Sequence, residues 1–277
     1  MTSLEFTAVV FILSALAGFL GALTGLGGGV VVVPALTLAL GVDMKYAIGA
    51  SLVSVIATSS GAAAAYVREG FSNIRIGMFL EIATTIGAIF GAFLAAYVST
   101  HALAIIFGLV LLQAAYQSFR HKPGAETEES DALATRLRLG GSYPLDGKER
   151  KYGVRHVPGG FAMMFGAGAL SGLLGIGSGA VKVIAMDTIM RIPFKVSTTT
   201  SNFMIGVTAA ASAGLYLERG YIDPRVAMPV MLGVLLGALT GAKFLAQARV
   251  KTLRLVFSVV VLALAVEMIV NGITRRI

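Results

Sequence analysis

Apolar residues run along this chain in long stretches that no regular polar face interrupts. Six stretches read as membrane spans of about 20 residues each: 46–67, 74–98, 102–119, 196–217, 225–246 and 252–273. Segment 76–98 carries Glu81 as its single charge, and segment 250–274 carries only Glu267 after Arg254. A helix buried in a soluble core would keep a polar stripe, whereas lipid accepts apolar side chains on every face. The strict apolar–polar alternation of an outer-membrane strand is absent, so the pattern predicts an all-α integral membrane protein.

Two further apolar runs are too long and too broken to be single spans. Residues 6–40 are interrupted by TGLGGG, and residues 161–190 by GIGSG. Each glycine lowers helix propensity by about 0.8–1 kcal/mol, so neither run is one straight helix. The freed backbone must line protein or water, not lipid. These breaks belong to a duplication. Residues 25–95 align without a gap on residues 175–245 at an offset of 150, through Gly25/Gly175, Gly27/Gly177, Gly29/Gly179, Lys45/Lys195, Ser51/Ser201, Thr58/Thr208, Gly87/Gly237 and Gly91/Gly241. The expected architecture is two homologous repeats, each a glycine-broken (re-entrant or discontinuous) helical segment followed by three transmembrane helices. A broken segment that dips and returns leaves three crossings per repeat and inverts the second copy; one that crosses leaves four and keeps the copies parallel. The Lys and Arg distribution does not separate these two cases. Inversion is the favoured reading, because it brings the two breaks together near the midplane.

Composition narrows the class. With 56% hydrophobic and 13% charged residues and a mean hydropathy of +0.84, the chain lies far from soluble usage. The net charge of +8 does not point to nucleic acid, since the basic residues sit in short loops and one long linker, as membrane topology requires. The first apolar segment lacks a basic n-region and belongs to the repeat, so it is expected to remain in the mature protein. The absence of cysteine excludes disulfides and thiolate metal sites. Residues 120–157 hold eight Lys or Arg among glycine, proline and acidic residues. They read as a tether between repeats, placed on the cytoplasmic face by its charge. The domain boundaries follow as 1–120, 121–157 and 158–277.

Three sets of residues carry candidate chemistry. The glycine breaks contribute Thr24, Gly27, Gly28 and Gly29 in the first copy and Gly177, Ser178 and Gly179 in the second; backbone N–H groups opened at a half-helix start attract an anion. Close helix packing is the structural alternative. A dinucleotide-binding reading of the glycines fails, because no strand precedes them and no acidic residue follows at the needed distance. Lys182 stands where the first copy has Val32. A charge at that depth costs about 2.5 kcal/mol or more, so it should face a cavity or an anionic substrate, pair with Asp187, or snorkel to an interface. The third set is the polar start of two matched spans: Ser51, Ser54, Thr58 and Ser59 in one, and the run 197–202, STTTSN, in the other. Ser51, Ser201 and Asn202 are the preferred members, as hydroxyl and amide donors suit oxyanions; helix capping or interhelical bonds explain part of the run. Glu81 and Glu267 could each carry a coupling proton or simply be paired carboxylates. The histidines lie scattered, with no metal-ligand spacing, and no cofactor is expected.

The order GALTGLGGGVVVVPAL, AIGASL, YVREGFSNIR, GIGSG and TTTSNF resembles the TauE/SafE family of membrane permeases, also called sulfite exporters. The resemblance covers residues 4–271 apart from the linker. It implies a multi-pass protein of the bacterial inner membrane that carries a small sulfur-containing anion (sulfite, sulfoacetate or another organosulfonate) outward. The partners implied are that anion and the lipid bilayer, with a homodimer left open. The residues themselves leave two other classes in view: a passive anion channel, and a nontransporting membrane assembly factor.

Overall fold

The computed structural model describes residues 2–24, 28–68, 71–120, 127–145, 148–245 and 250–275. Its element order repeats with the offset found in the sequence. In the first copy α1 (Ser3–Thr24) is followed by α2 (Gly29–Pro34), a π-helical turn (Ala35–Ala39), α3 (Met44–Arg68), α4 (Ile74–Ala95) and α5 (Thr100–Arg120). In the second, α7 (Val157–Leu174) precedes α8 (Gly179–Ile184), a π-helical turn (Ala185–Ile189), α9 (Phe194–Glu218), α10 (Pro224–Leu245) and α11 (Val250–Ile273). From α2 onward every helix of the second copy begins 150 residues after its counterpart.

Each of the six expected spans is helical along its described length, except that α4 ends at Ala95, before the end of the expected span 74–98. Each 35- or 30-residue apolar run resolves into a long helix and a short one. Gly28 shows that the short helix turns back: a Cβ placed on it would lie 3.5 Å from the Cα of Gly18 in α1, ten positions earlier. In an unbroken helix those residues would sit about 15 Å apart. Among the described residues, four helical segments are long and apolar enough to cross a membrane: Leu4–Gly21, Ile74–Ala95, Val157–Leu174 and Pro224–Gly241. Their outward faces are apolar in matched register. Met78, Ile82, Ile86 and Ile89 are exposed on α4, and Met228, Leu232, Leu236 and Leu239 on α10. Such a continuous apolar stripe belongs against lipid. Helix α9, at 25 residues, is also long enough to span but carries the hydroxyl-rich run, and it packs inside against α3.

The two copies interlock by exchange. Helix α1 packs on α10 of the other copy, and α7 packs on α4, while α3 meets α9 and α5 meets α11. Small residues make these contacts close. Any Cβ at Gly87 would strike the Phe165 carbonyl and at Gly237 the Ala15 carbonyl, the same contact 150 positions apart. Likewise Gly168 lies against the Thr84 carbonyl and Gly18 against that of Val234. Without a hydrophobic driving force between helices in lipid, such backbone approach supplies the packing energy.

The linker holds regular structure that the sequence reading did not specify: α6 (Ala132–Arg136) leads into a hairpin of β1 (Gly141–Leu145) and β2 (Lys148–Tyr152), paired antiparallel with Gly141 opposite Tyr152. Asp131 caps α6 through the Ala134 N–H at 2.7 Å. Ala134, Leu139, Tyr143, Tyr152 and Val154 bury themselves in a cluster with Ile76 and Leu80 of α4 and with Met190 and Ile192. Asn73, which caps α4, donates to the Leu139 carbonyl (3.2 Å) and the Tyr152 hydroxyl (2.7 Å). Burial pushes the Tyr152 phenol up from its ordinary range, against the lowering effect of that Asn73 bond. Five apolar residues spread over a polar stretch leave no periodicity to read, which is why the hairpin was invisible in the sequence.

Two glycines on α7 test the packing account. Gly168→Ala forces a methyl into the Thr84 carbonyl, whereas a Cβ at Gly166 meets nothing within 4 Å. Gly168→Ala should lower the thermal midpoint in detergent by an amount corresponding to about 1–3 kcal/mol, and Gly166→Ala should leave it unchanged or slightly raised. Soluble monodisperse protein remaining after a heating series measures both.

Candidate functional site

Gly29, at the end of the first break, meets the second break in the buried interior. Ser51 on α3 donates its hydroxyl to the Gly175 carbonyl of the other copy at 2.8 Å. Gly29 is pressed into the same junction, where a Cβ would come within 2.6 Å of Ser51 Oγ and 3.1 Å of the Gly175 oxygen. Its counterpart Ser201 on α9 donates to the Gly179 carbonyl at 3.3 Å. Gly177 and Gly179 abut Ile205. In the second break Gly175 and Gly177 take positive φ, and so does Ser178 at φ 45°, a region side chains rarely enter. Gly28, the matching residue, is right-handed at φ −65°. Ser178 Oγ is buried with no hydrogen-bond partner among the described residues, and Ser178 and Gly179 border a cavity of about 20 Å³ with Val30, Ile176 and Leu111. That is room for roughly one water. Gly25 and Gly27 lie outside the described residues, as does the side chain of Thr24.

Lys182 lies one turn past this break and is fully buried. It donates through Nζ to Thr208 Oγ1 at 2.5 Å, and Thr208 in turn donates to Glu81 Oε1 at 2.7 Å. Thr85 donates to the same Glu81 oxygen at 3.2 Å, while Glu81 Oε2 is buried without a hydrogen-bond partner among the described residues. Three elements converge here: α8 supplies the ammonium, α9 the hydroxyl, and α4 of the other copy the carboxylate. Two opposite charges held out of water are stable only if each compensates the other. The arrangement is one-sided. The positions matched to Lys182 and Glu81 are Val32 and Met231, and Thr58, matched to Thr208, bonds only carbonyls of its own helix.

Among the hydroxyls, structural work predominates. Ser54, Thr58 and Ser59 donate to carbonyls one turn back in α3. In the run on α9, Thr198 bonds its own helix, Thr199 also reaches the Phe71 carbonyl (3.1 Å), and Thr200 accepts from the Asn73 N–H (3.0 Å). Asn202 is half-buried on α9, next to Ser201. The structure therefore gathers Gly29, Ser51, Gly177, Ser178, Gly179 and Ser201 at one junction, with Lys182 a turn away. Glu81 is the residue that sequence reasoning left aside. Its signal was present, a lone acid inside an apolar span, but its partner is 101 positions away on the other copy. No group of His, Asp or Glu able to hold a metal occurs among the described residues.

The chain matches the profile of the family described as sulfite exporter TauE/SafE over residues 10–268, nearly its whole length. It belongs to that family. Similar chains carry transporter names: a probable membrane transporter protein, YunE, of Bacillus subtilis is 26% identical over 96% of this chain and 98% of its own. A second from that organism, YdhB, is 28% identical over 85% of this chain and 87% of its own. A probable membrane transporter protein of Methanocaldococcus jannaschii is 24% identical over 90% of each. No solved structure gives a significant match. This TauE/SafE member is thus a multi-pass membrane transporter.

If Thr208 bridges the two charges, Thr208→Val should destabilise the protein by about 2 kcal/mol, the range for a hydrogen bond to a charged group. Thr58→Val, at the matched position without charges, should shift the thermal midpoint by much less. Equal shifts in the two variants would show that the bridge contributes nothing beyond a helical hydroxyl.

Proposed function

We propose that this transporter carries a small sulfur-containing anion, sulfite, sulfoacetate or another organosulfonate, outward by alternating access, with its binding centre at the junction of the two breaks. The observation that carries the reading is Lys182: a fully buried ammonium on the short helix after a glycine break, present in one copy and replaced by Val32 in the other. A scaffold needs no such charge, and an anionic substrate does. Ser178, whose buried hydroxyl has no hydrogen-bond partner among the described residues, would supply a neutral donor beside it, as would backbone N–H groups of the break. Gly29 and Ser51 would face that break from the first copy, with Ser201 on the other side; Gly28, packed against Val234 and Gly18, and Asn202 on α9 are further candidates, while Gly27 and the Thr24 side chain are candidates from the sequence alone. The family to which the chain belongs is described by sulfite export, which favours a sulfur oxyanion over a carboxylate.

The exchanged packing, α1 on α10 and α7 on α4, suits two inverted copies related by an axis through the junction. Rocking of one pair against the other would open the centre to each side in turn, and the cavity of about 20 Å³ beside Ser178 suits a closed state. The basic linker, with its folded hairpin, belongs on the cytoplasmic side.

In proteoliposomes loaded with sulfite, sulfoacetate, ethanesulfonate, sulfate or acetate, efflux of one or more sulfur anions with trans-stimulation is the expected result. Flux without trans-stimulation would favour a channel. Lys182→Ala should reduce that transport at least about tenfold, the equivalent of one lost charged contact of about 1.4 kcal/mol or more. Transport by Lys182→Ala at the normal rate would remove this residue from the site.

A further inference from the structure

An ammonium that waits for an anion deep in a membrane protein must be compensated while it waits. Glu81 is the compensating group, joined to Lys182 through one hydroxyl and presenting its second oxygen with no hydrogen-bond partner among the described residues. The surroundings offer little competition. Helix α4 packs on α7 and α9. Helix α7 has no titratable side chain along its length, and on α9 the titratable residues, Lys195, Tyr216 and Glu218, lie toward the two ends, away from Thr208. Arg75 on α4 itself is engaged with the Arg138 carbonyl of the linker. Asp187, in the π turn after α8, is buried and has a contact of its own. Tyr152 in the linker pairs with Asn73.

We propose that Glu81 is a proton-carrying stand-in for the substrate: it neutralises Lys182 in the empty transporter, and a substrate monoanion takes its place only as Glu81 accepts one proton. The inference rests on Lys182 being an anion-binding residue. The balance is simple. The empty site holds one ammonium and one carboxylate; the loaded site holds the ammonium, the anion and a neutral carboxylic acid. Either state is neutral overall. An anion added without the proton would leave two negative charges against one positive in a region where an uncompensated ion is very unfavourable. The incoming proton has an acceptor in Glu81 Oε2, the oxygen not engaged by Thr208 or Thr85. No covalent bond between heavy atoms changes, and the proton returns to water when the anion leaves. The transporter therefore moves one proton with each monovalent anion, in the same direction, and the anion's own charge makes the step electroneutral.

Ethanesulfonate is a suitable probe, because its charge does not titrate near neutrality. Added to the purified full-length protein in weak buffer, it should draw about one proton from solution per anion bound, read by a pH-indicator dye. Its affinity should weaken by up to about tenfold per unit rise in pH where Glu81 is ionised in the empty protein. Glu81→Gln should bind with no such slope and without proton uptake. Binding to the wild type with no proton uptake and no pH slope overturns the proposal while leaving the anion site intact, as does an undiminished slope in Glu81→Gln. Should Glu81→Gln fail to fold, the proton count on the wild type decides alone. No ethanesulfonate binding to the wild type, while sulfite binds, moves the proton count to sulfite, corrected for its own ionisation. No binding of any sulfur anion overturns the function reading itself, and the coupling with it.

Discussion

A buried ammonium with its counter-charge on the opposite half of the molecule is the constraint around which this fold is organised. Lys182 rests on α8, which is six residues long and could not hold a charged group in place alone. It is fixed because Thr208 on α9 and Glu81 on α4 meet it there, and those helices are fixed by packing with glycine-close backbones against α3 and α7. Removing either charge would strand the other in apolar surroundings. The triad therefore ties together one helix of the first copy and two of the second, and adds a charged link to the apolar packing and the neutral hydrogen bonds, such as Ser51 to the Gly175 carbonyl, that also join them.

Symmetry supplies the frame and its failure supplies the chemistry. The same contacts recur 150 positions apart, from Gly87 on Phe165 and Gly237 on Ala15 to the lipid-facing stripes of α4 and α10. At the junction the copies begin to differ. Ser178 holds a left-handed backbone where Gly28 is right-handed, so the residue with the side chain bears the strain. The Ser178 hydroxyl is buried with no hydrogen-bond partner among the described residues, so nothing described there offsets the cost of that conformation.

Much of this was legible in the sequence, because lipid and duplication both leave strong patterns. The six spans follow from their apolar length, the breaks from clustered glycines, and the helix starts of the second copy from the offset alone. Lys182 stood out because its counterpart is Val32. Other features depend on distant pairing and were not legible. Glu81 reads in the sequence as a lone acid in an apolar span, and its partner appears only once α4 is placed against α8 and α9. The hydroxyl run on α9 reads as one polar lining, yet most of it bonds helix or loop carbonyls, and only Ser201 reaches the break. The hairpin of the linker escaped notice since its few apolar residues are buried against other elements, leaving no period of its own.

The central claim is mutual charge compensation between Lys182 and Glu81 across the two copies, and a double-mutant cycle on thermal stability in the absence of substrate anion tests it most directly. Lys182→Met and Glu81→Gln should each lower the thermal midpoint, since each strands the opposite charge, and the combined variant should recover most of the loss while remaining transport-dead. A combined variant whose loss equals the sum of the two single losses would contradict the account, for it would mean that the two groups are buried side by side without sustaining one another.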